Sequence, residues 1–190
     1  MYIYIISILI LKGGLKYNQI GSLDVTSIRE KIRNNNLDWD CYQHRQNRYK
    51  DHSQTKTIPI IWSENFNKQE FWEPYYTIFK EDLNSIEKII RNSLCNSGGF
   101  MSAILINLPA GKSIGRHIDA NPLGNRFNRC HRIHIPVETN PFCFFEIGGE
   151  IKNMKEGEIW EINNVKSPHS VENKGTSDRI HLLVDWDPCI

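Results

Sequence analysis

His117-Ile118-Asp119 sets an imidazole and a carboxylate two residues apart, and a second imidazole, His169, follows in Ser167-Pro168-His169-Ser170-Val171. Residues i and i+2 of an extended segment project to one face, so His117 and Asp119 can address a single ion together. Two imidazoles and one carboxylate are the donor set that holds three corners of an octahedral iron(II) and leaves three open. A lone strand histidine is more often a hydrogen-bonded core or surface residue than a ligand. The order His-x-Asp, later His, then Arg is what singles this set out.

Arg179 supplies that last element. It opens Arg179-Ile180-His181-Leu182-Leu183-Val184-Asp185-Trp186, where Ile180, Leu182, Val184 and Trp186 share one face and Arg179, His181 and Asp185 the other. Its guanidinium either forks onto the far carboxylate of a dicarboxylate inside a barrel, or sits exposed at the strand start beside Asp178 or Asp185. Taken with the three ligands, the first alternative predicts a non-haem iron(II) oxygenase with 2-oxoglutarate as co-substrate and O₂ as oxidant. Arg132-Ile133-His134-Ile135-Pro136-Val137 repeats the alternation, with Arg132 and His134 on one face. Burying two such groups is costly unless something anionic meets them, which a metal-bound 2-oxoglutarate would do and a surface-facing edge strand would make unnecessary. His44, His52, His131 and His181 lack a partner pattern and are expected at the surface or behind the ligands. The segment Asn121 to Cys130, with Arg126 and Arg129, either closes over a substrate or is a solvated loop.

The elements around these residues divide the chain in two. Asp24 or Ser27 can cap a helix to about Asn34, with Ile28, Ile32 and Leu37 on its apolar side. Trp39 to Trp62 reads as strands joined by a polar loop, ending in Ile58-Pro59-Ile60-Ile61-Trp62. Leu83, Ile86, Ile89 and Ile90 predict a helix over Glu81 to Leu94. From Gly98 the chain turns to short strands: Phe100 to Leu108, Arg132 to Glu138, Phe142 to Ile147, Glu158 to Ile162 and Arg179 to Trp186. Turns at Pro109-Ala110-Gly111, Asn140-Pro141, Gly148-Gly149 and Lys174-Gly175 separate them. The expected architecture is mainly β (α+β): a jelly-roll barrel, the cupin-like double-stranded β-helix, supported by the N-terminal helices.

A length of 190 residues suits one domain, 1–190, with its core barrel over about 99–188. Hydrophobic and charged contents of 39% and 24% are those of a globular protein. A formal charge of +1 and the lack of a Lys/Arg block argue against nucleic acid as a partner. Tyr2 to Leu11 is apolar but about half a bilayer span, and it lacks the flanks of a secretory signal. No membrane association is therefore expected; the run reads as a strand ended by Gly13-Gly14, or as a disordered leader. The five cysteines are odd in number, scattered and without a Cys-x-x-Cys pair, as free thiols of a reducing compartment would be. A cytoplasmic location is expected; the Ile/Asn/Lys bias fits an AT-rich genome, and a host cytoplasm if that genome is viral.

At Arg116-His117-Ile118-Asp119, Arg132-Ile133-His134 with Thr139-Asn140, Gly157-Glu158-Ile159-Trp160, Ser167-Pro168-His169-Ser170 and Arg179 to Asp185, the chain resembles the aspartyl/asparaginyl β-hydroxylase family of Fe(II)/2-oxoglutarate oxygenases. It resembles bacterial free-proline cis-hydroxylases of the same superfamily at least as closely. Within residues 1–100 the likeness is loose, through an entry helix and Thr57-Ile58-Pro59-Ile60. The resemblance implies a double-stranded β-helix, iron(II) on His117 and His169, the distal 2-oxoglutarate carboxylate on Arg179, and Arg132 and His134 near its chelating end. Vertebrate members carry glycine where this chain has Asp119, so the complete triad moves the match toward enzymes of small molecules. Ile106 or Leu108 stands where a hydroxyl beside the distal carboxylate is expected. The expected substrate is an amino-acid side chain, in a free amino acid or small molecule; the alternatives are a protein side chain, or a non-catalytic cupin-like binding module.

Overall fold

In the computed structural model, residues 15–62, 68–119 and 130–190 are described. The apolar run Tyr2 to Leu11 and nearly all of the Asn121 to Cys130 segment lie outside them. Two antiparallel sheets dominate. The larger runs β1 (Tyr17–Ser22), β8 (Glu158–Ile162), β5 (His131–Glu138), β10 (Arg179–Asp187), β3 (Gly99–Leu108) and β2 (Lys56–Ile61), in that spatial order. The smaller runs β4 (Ser113–His117), β9 (His169–Asn173), β6 (Cys143–Ile147) and β7 (Glu150–Lys152). From β3 onward the chain alternates between them: β3, β5, β8 and β10 enter the larger sheet, β4, β6 with β7, and β9 the smaller. This alternation makes the expected double-stranded β-helix.

Strand periodicity decides what each face of the larger sheet touches. Ile180, Leu182, Val184 and Trp186 of β10 join Ile133, Ile135 and Val137 of β5 and Ala103 and Leu105 of β3 in one buried cluster. Two helices cover that face, α1 (Thr26–Asn34) with Ile28, and α3 (Tyr75–Ser93) with Phe79, Leu83, Ile86 and Ile90. The α3 residues recur at helical spacing and give it a single apolar stripe. It begins six residues before the expected start because Tyr75, Tyr76, Ile78 and Phe79 extend the same stripe. Neither Asp24 nor Ser27 caps α1: Val25 stands at the N-cap with no side-chain cap bond, and Asp24 Oδ1 instead accepts the Thr26 N–H at 2.9 Å in a local turn just before the helix.

The opposite face lines the barrel. Tyr17, Leu108, Ile114, Phe145, Ile147, Ile162 and Val171, from both sheets, pack together between them. A second cluster, Tyr42, Trp62, Ile104, Ile106 and Leu183, lies on the side of β2 and β3. Trp39 to Trp62 differs from the expected strands joined by a polar loop. It holds a short helix α2 (His44–Arg48), a 3₁₀ turn (Lys50–His52) and the one strand β2. The polar composition masked this, because α2 turns one charged residue, Arg45, into the protein. Among the described residues no helix is long and apolar enough to cross a membrane.

Candidate metal centre

His117 ends β4, His169 begins β9, and the two are register partners across that ladder. Their ring centroids stand 4.3 Å apart. Asp119 follows just past the strand end, where its backbone N–H donates to the Asn164 carbonyl at 3.0 Å. The carboxylate then meets both rings: His117 Nε2 is 3.5 Å from Oδ1, and His169 Nε2 is 3.6 Å from Oδ2. One donor atom from each of the three residues lies within 4.8 Å of the others.

Hydrogen bonding fixes which ring nitrogens face inward. His117 Nδ1 lies 2.7 Å from the Gly115 carbonyl, and His169 Nδ1 lies 3.4 Å from the Ser167 carbonyl. A carbonyl only accepts, so Nδ1 carries the hydrogen in each ring and Nε2 keeps its lone pair for a cation. Burial, with the charges of His117 and Arg132, pushes His169 down to about 4 against the pull of Asp119. His117 moves the other way: burial disfavours its charge, but Asp119, the Gly115 carbonyl and Asp51 outweigh that and raise it. Burial alone would raise the Asp119 carboxyl, yet Arg132, His117, His169 and Asn164 hold it well below the usual carboxylate range. An ionised carboxylate and two imidazoles whose free nitrogens converge suit a divalent ion such as iron(II). No ligand has to be borrowed from elsewhere in the chain.

Arg132 serves Asp119 directly. Its Nη1 donates to Asp119 Oδ2, while Nε and Nη2 donate to Asp185 Oδ1 and Oδ2, each at 2.8 Å. Asp185 also accepts from Ser102 Oγ at 2.8 Å. Asn164 Nδ2 adds a bond to Asp119 Oδ2 at 2.9 Å. Burial works against the Arg132 charge, but the two carboxylates overcome it and raise its pKa further. Since β5 lies between β8 and β10, Arg132 and His134 are not on an edge strand, and both are buried.

Arg179 occupies a second polar layer. It is 3% exposed, which rules out the surface alternative. Asp178 is engaged by Asn107 and the Ala110 N–H, and Asp185 by Arg132 and Ser102. Arg179 Nη2 instead donates to His181 Nδ1 at 2.7 Å, and no carboxylate among the described residues pairs with it. Burial lowers it to about 10, so it keeps its charge at neutral pH. It lines a cleft with Thr139, Cys143, Phe145, Lys152 and His181. The Phe145 ring lies parallel to His169 at 6.2 Å and has the Arg179 guanidinium 5.9 Å from its centre, so it spans the two layers. His134 packs edge-on to Phe145 at 5.1 Å, and its buried Nδ1 has no hydrogen-bond partner among the described residues. A buried unpaired cation and a buried unpaired ring nitrogen, both beside the ligands, fit an anionic chelator with a second carboxylate.

Further buried polar residues surround the site. Of the histidines expected at the surface or behind the ligands, His131 and His181 are 2% exposed, His131 on Glu161 at 2.5 Å and His181 under Arg179. His52, on the 3₁₀ turn, stands edge-on to His117 at 4.9 Å. Arg45 is 8% exposed. Asn164 had a weak signal, an Asn-Asn pair shortly before a predicted ligand, whereas Arg45 sat in a stretch without acidic residues that looked solvated.

The comparisons with known proteins meet this geometry. The family model for aspartyl/asparaginyl beta-hydroxylase matches residues 24–188. No curated protein sequence matches the chain. Among solved structures, a 2OG-Fe(II) oxygenase family oxidoreductase from Burkholderia pseudomallei superposes with a TM-score of 0.63 at 12% identity, over 85% of this chain and 77% of that one. A prolyl-4-hydroxylase from Pseudomonas putida gives 0.58 at 12%, over 98% of both chains. The viral collagen prolyl hydroxylase of Paramecium Bursaria Chlorella virus-1 gives 0.59 at 9%, over 92% and 97%. At such identities the likeness speaks to the shared fold, while the family match covers most of the chain. The chain belongs to the aspartyl/asparaginyl β-hydroxylase family, and is an enzyme of the 2-oxoglutarate–Fe(II) oxygenase class.

Proposed function

We propose that this enzyme hydroxylates the side chain of a free amino acid or comparable small molecule, with iron(II) held by His117, Asp119 and His169. The observation that carries the reading is the convergence of one donor atom from each of these residues within 4.8 Å. When bound, iron(II) supplies the redox chemistry that couples O₂ and 2-oxoglutarate, released as succinate and CO₂, to hydroxylation of a C–H bond.

The chain's own residues do the positioning. The Gly115 and Ser167 carbonyls hold both imidazoles in the tautomer that offers Nε2. Arg132 and Asn164 orient the Asp119 carboxylate and keep it ionised. Arg179 would hold the distal carboxylate of 2-oxoglutarate, and His134 would lie at its near end. Phe145 walls the cleft beside His169. Asp119 itself supports a small-molecule substrate, since the vertebrate protein hydroxylases of the resemblance lack that carboxylate. The family's description favours a second reading, an aspartyl or asparaginyl side chain in a peptide. The five free cysteines suit work in a reducing compartment such as the cytoplasm.

The test is a succinate-release screen of free amino acids and short peptides with iron-loaded protein and ascorbate. Succinate should form with the substrate and vanish in His117→Ala. Undiminished turnover in that variant refutes the assignment.

A further inference from the structure

Resting on the reading above, we propose that Arg45 forms a carboxylate-binding subsite for the primary substrate, beside the metal and apart from the 2-oxoglutarate cleft. Arg45 lies on α2, 8% exposed, and its guanidinium makes no hydrogen bond or ion pair among the described residues. Nη1 is buried outright without a partner. An isolated buried cation is among the most costly groups a fold can carry, and proteins retain one where a ligand completes it.

Its surroundings say which ligand. Gln46, its neighbour on α2, donates Nε2 to Thr57 Oγ1 at 3.0 Å, anchoring the helix on β2. Its own buried Oε1 has no partner, and neither does His52 Nδ1 four residues beyond α2. His52 packs on His117, so α2 and the 3₁₀ turn form one wall next to the metal ligands. Asp119, Asp185 and Arg132 all lie within electrostatic reach of Arg45. A cation, an amide oxygen and an imidazole nitrogen, all buried and unsatisfied, make a receptor for an anionic group that carries a hydrogen-bond donor.

Charge balance points the same way. Of the carboxylates Asp119 and Asp185, one offsets Arg132 and the other offsets one charge of a divalent ion. The two carboxylates of 2-oxoglutarate offset the ion's remaining charge and Arg179. The buried histidines His52, His134 and His181 stay neutral. Among the described groups around the metal ligands, Arg45 is then left without a counterpart, and a single carboxylate on the substrate completes the set. That group is the α-carboxylate of a free amino acid, or the side-chain carboxylate of an acidic residue.

The test compares wild-type protein with Arg45→Met and Arg45→Lys, loaded with Mn(II) so that no turnover occurs. Melting temperature and calorimetry are read on adding 2-oxoglutarate, then the twenty free L-amino acids singly, their α-amides, and N-acetyl-aspartyl and N-acetyl-glutamyl amides. All three proteins should fold and answer to 2-oxoglutarate, and ligand-free Arg45→Met should melt no lower than wild type, because an unpaired charge is gone. At least one carboxylate probe should stabilise wild type, with Kd raised about 10²-fold in Arg45→Met and partly restored in Arg45→Lys. An amide that fails where its parent acid binds identifies the α-carboxylate as the source. Wild-type protein that ignores 2-oxoglutarate sinks the oxygenase site and this subsite with it. Wild-type protein that answers to 2-oxoglutarate but to no carboxylate probe, probe binding that survives Arg45→Met, or an Arg45→Met that does not fold overturns the Arg45 assignment alone.

Discussion

Arg132 grips Asp185 with two hydrogen bonds of 2.8 Å and turns its remaining nitrogen to Asp119. The carboxylate of the candidate metal site is therefore tied, through one guanidinium, to the floor of the barrel. Asp185 is fully buried and Arg132 nearly so. Breaking such a pair leaves an uncompensated buried charge, worth about 3–5 kcal/mol. Asp185→Ala should lower unfolding stability by that amount in urea titrations and weaken Mn(II) binding, as losses behind a metal ligand do. Stability within about 0.5 kcal/mol of wild type would mean the Arg132–Asp185 pair is unimportant.

Arg179 gives a prediction that separates co-substrate from metal. In Arg179→Met, calorimetry of the Mn(II)-loaded protein should show 2-oxoglutarate Kd raised on the order of 10²-fold. Mn(II) affinity should hold, since Arg179 touches no ligand. Unchanged 2-oxoglutarate binding would reduce Arg179 to a packing residue over His181.

Acid should destabilise the ligand-free protein early. Burial, then the charge of Arg179, holds both His134 and His181 well below the ordinary histidine value of 6.5. In the unfolded chain these rings take up protons as pH falls through about 6.5, while in the folded protein they remain neutral. The unfolded state then binds more protons, so the stability they contribute is present above that pH and lost as pH falls toward their folded values. Two such groups give a slope of about 2 to 3 kcal/mol per pH unit below 6. Denaturant midpoints at pH 7, 6 and 5 check this. A flat profile, or one no shallower in His181→Phe than in wild type, contradicts the buried neutral state.

How much of this was legible in the sequence follows from the range of each signal. The strand alternation of β5 and β10 separated Ile180, Leu182, Val184 and Trp186, now under the helices, from Arg179, His181 and Asp185, now in the barrel. Periodicity names two faces without saying what covers either, so it left His131 and His181 undecided between the surface and a place behind the ligands. The partnership of Arg132 with Asp119 and Asp185 was equally hidden, because it joins residues 13 and 53 positions apart. His117, Asp119 and His169 stood out because a metal constrains type, order and spacing at once. Arg45 did not, because His44–Arg48 is too short for a periodic pattern and its polarity imitates a solvated turn.

The most direct measurement is an anaerobic calorimetric titration of iron(II) into wild-type protein, Asp119→Ala and His169→Ala. One equivalent should bind wild type, with affinity rising when 2-oxoglutarate is present, and each variant should lose at least 10-fold in affinity. Wild-type protein that takes up no iron, or variants that bind it as tightly, would contradict the convergence of these three side chains on one ion.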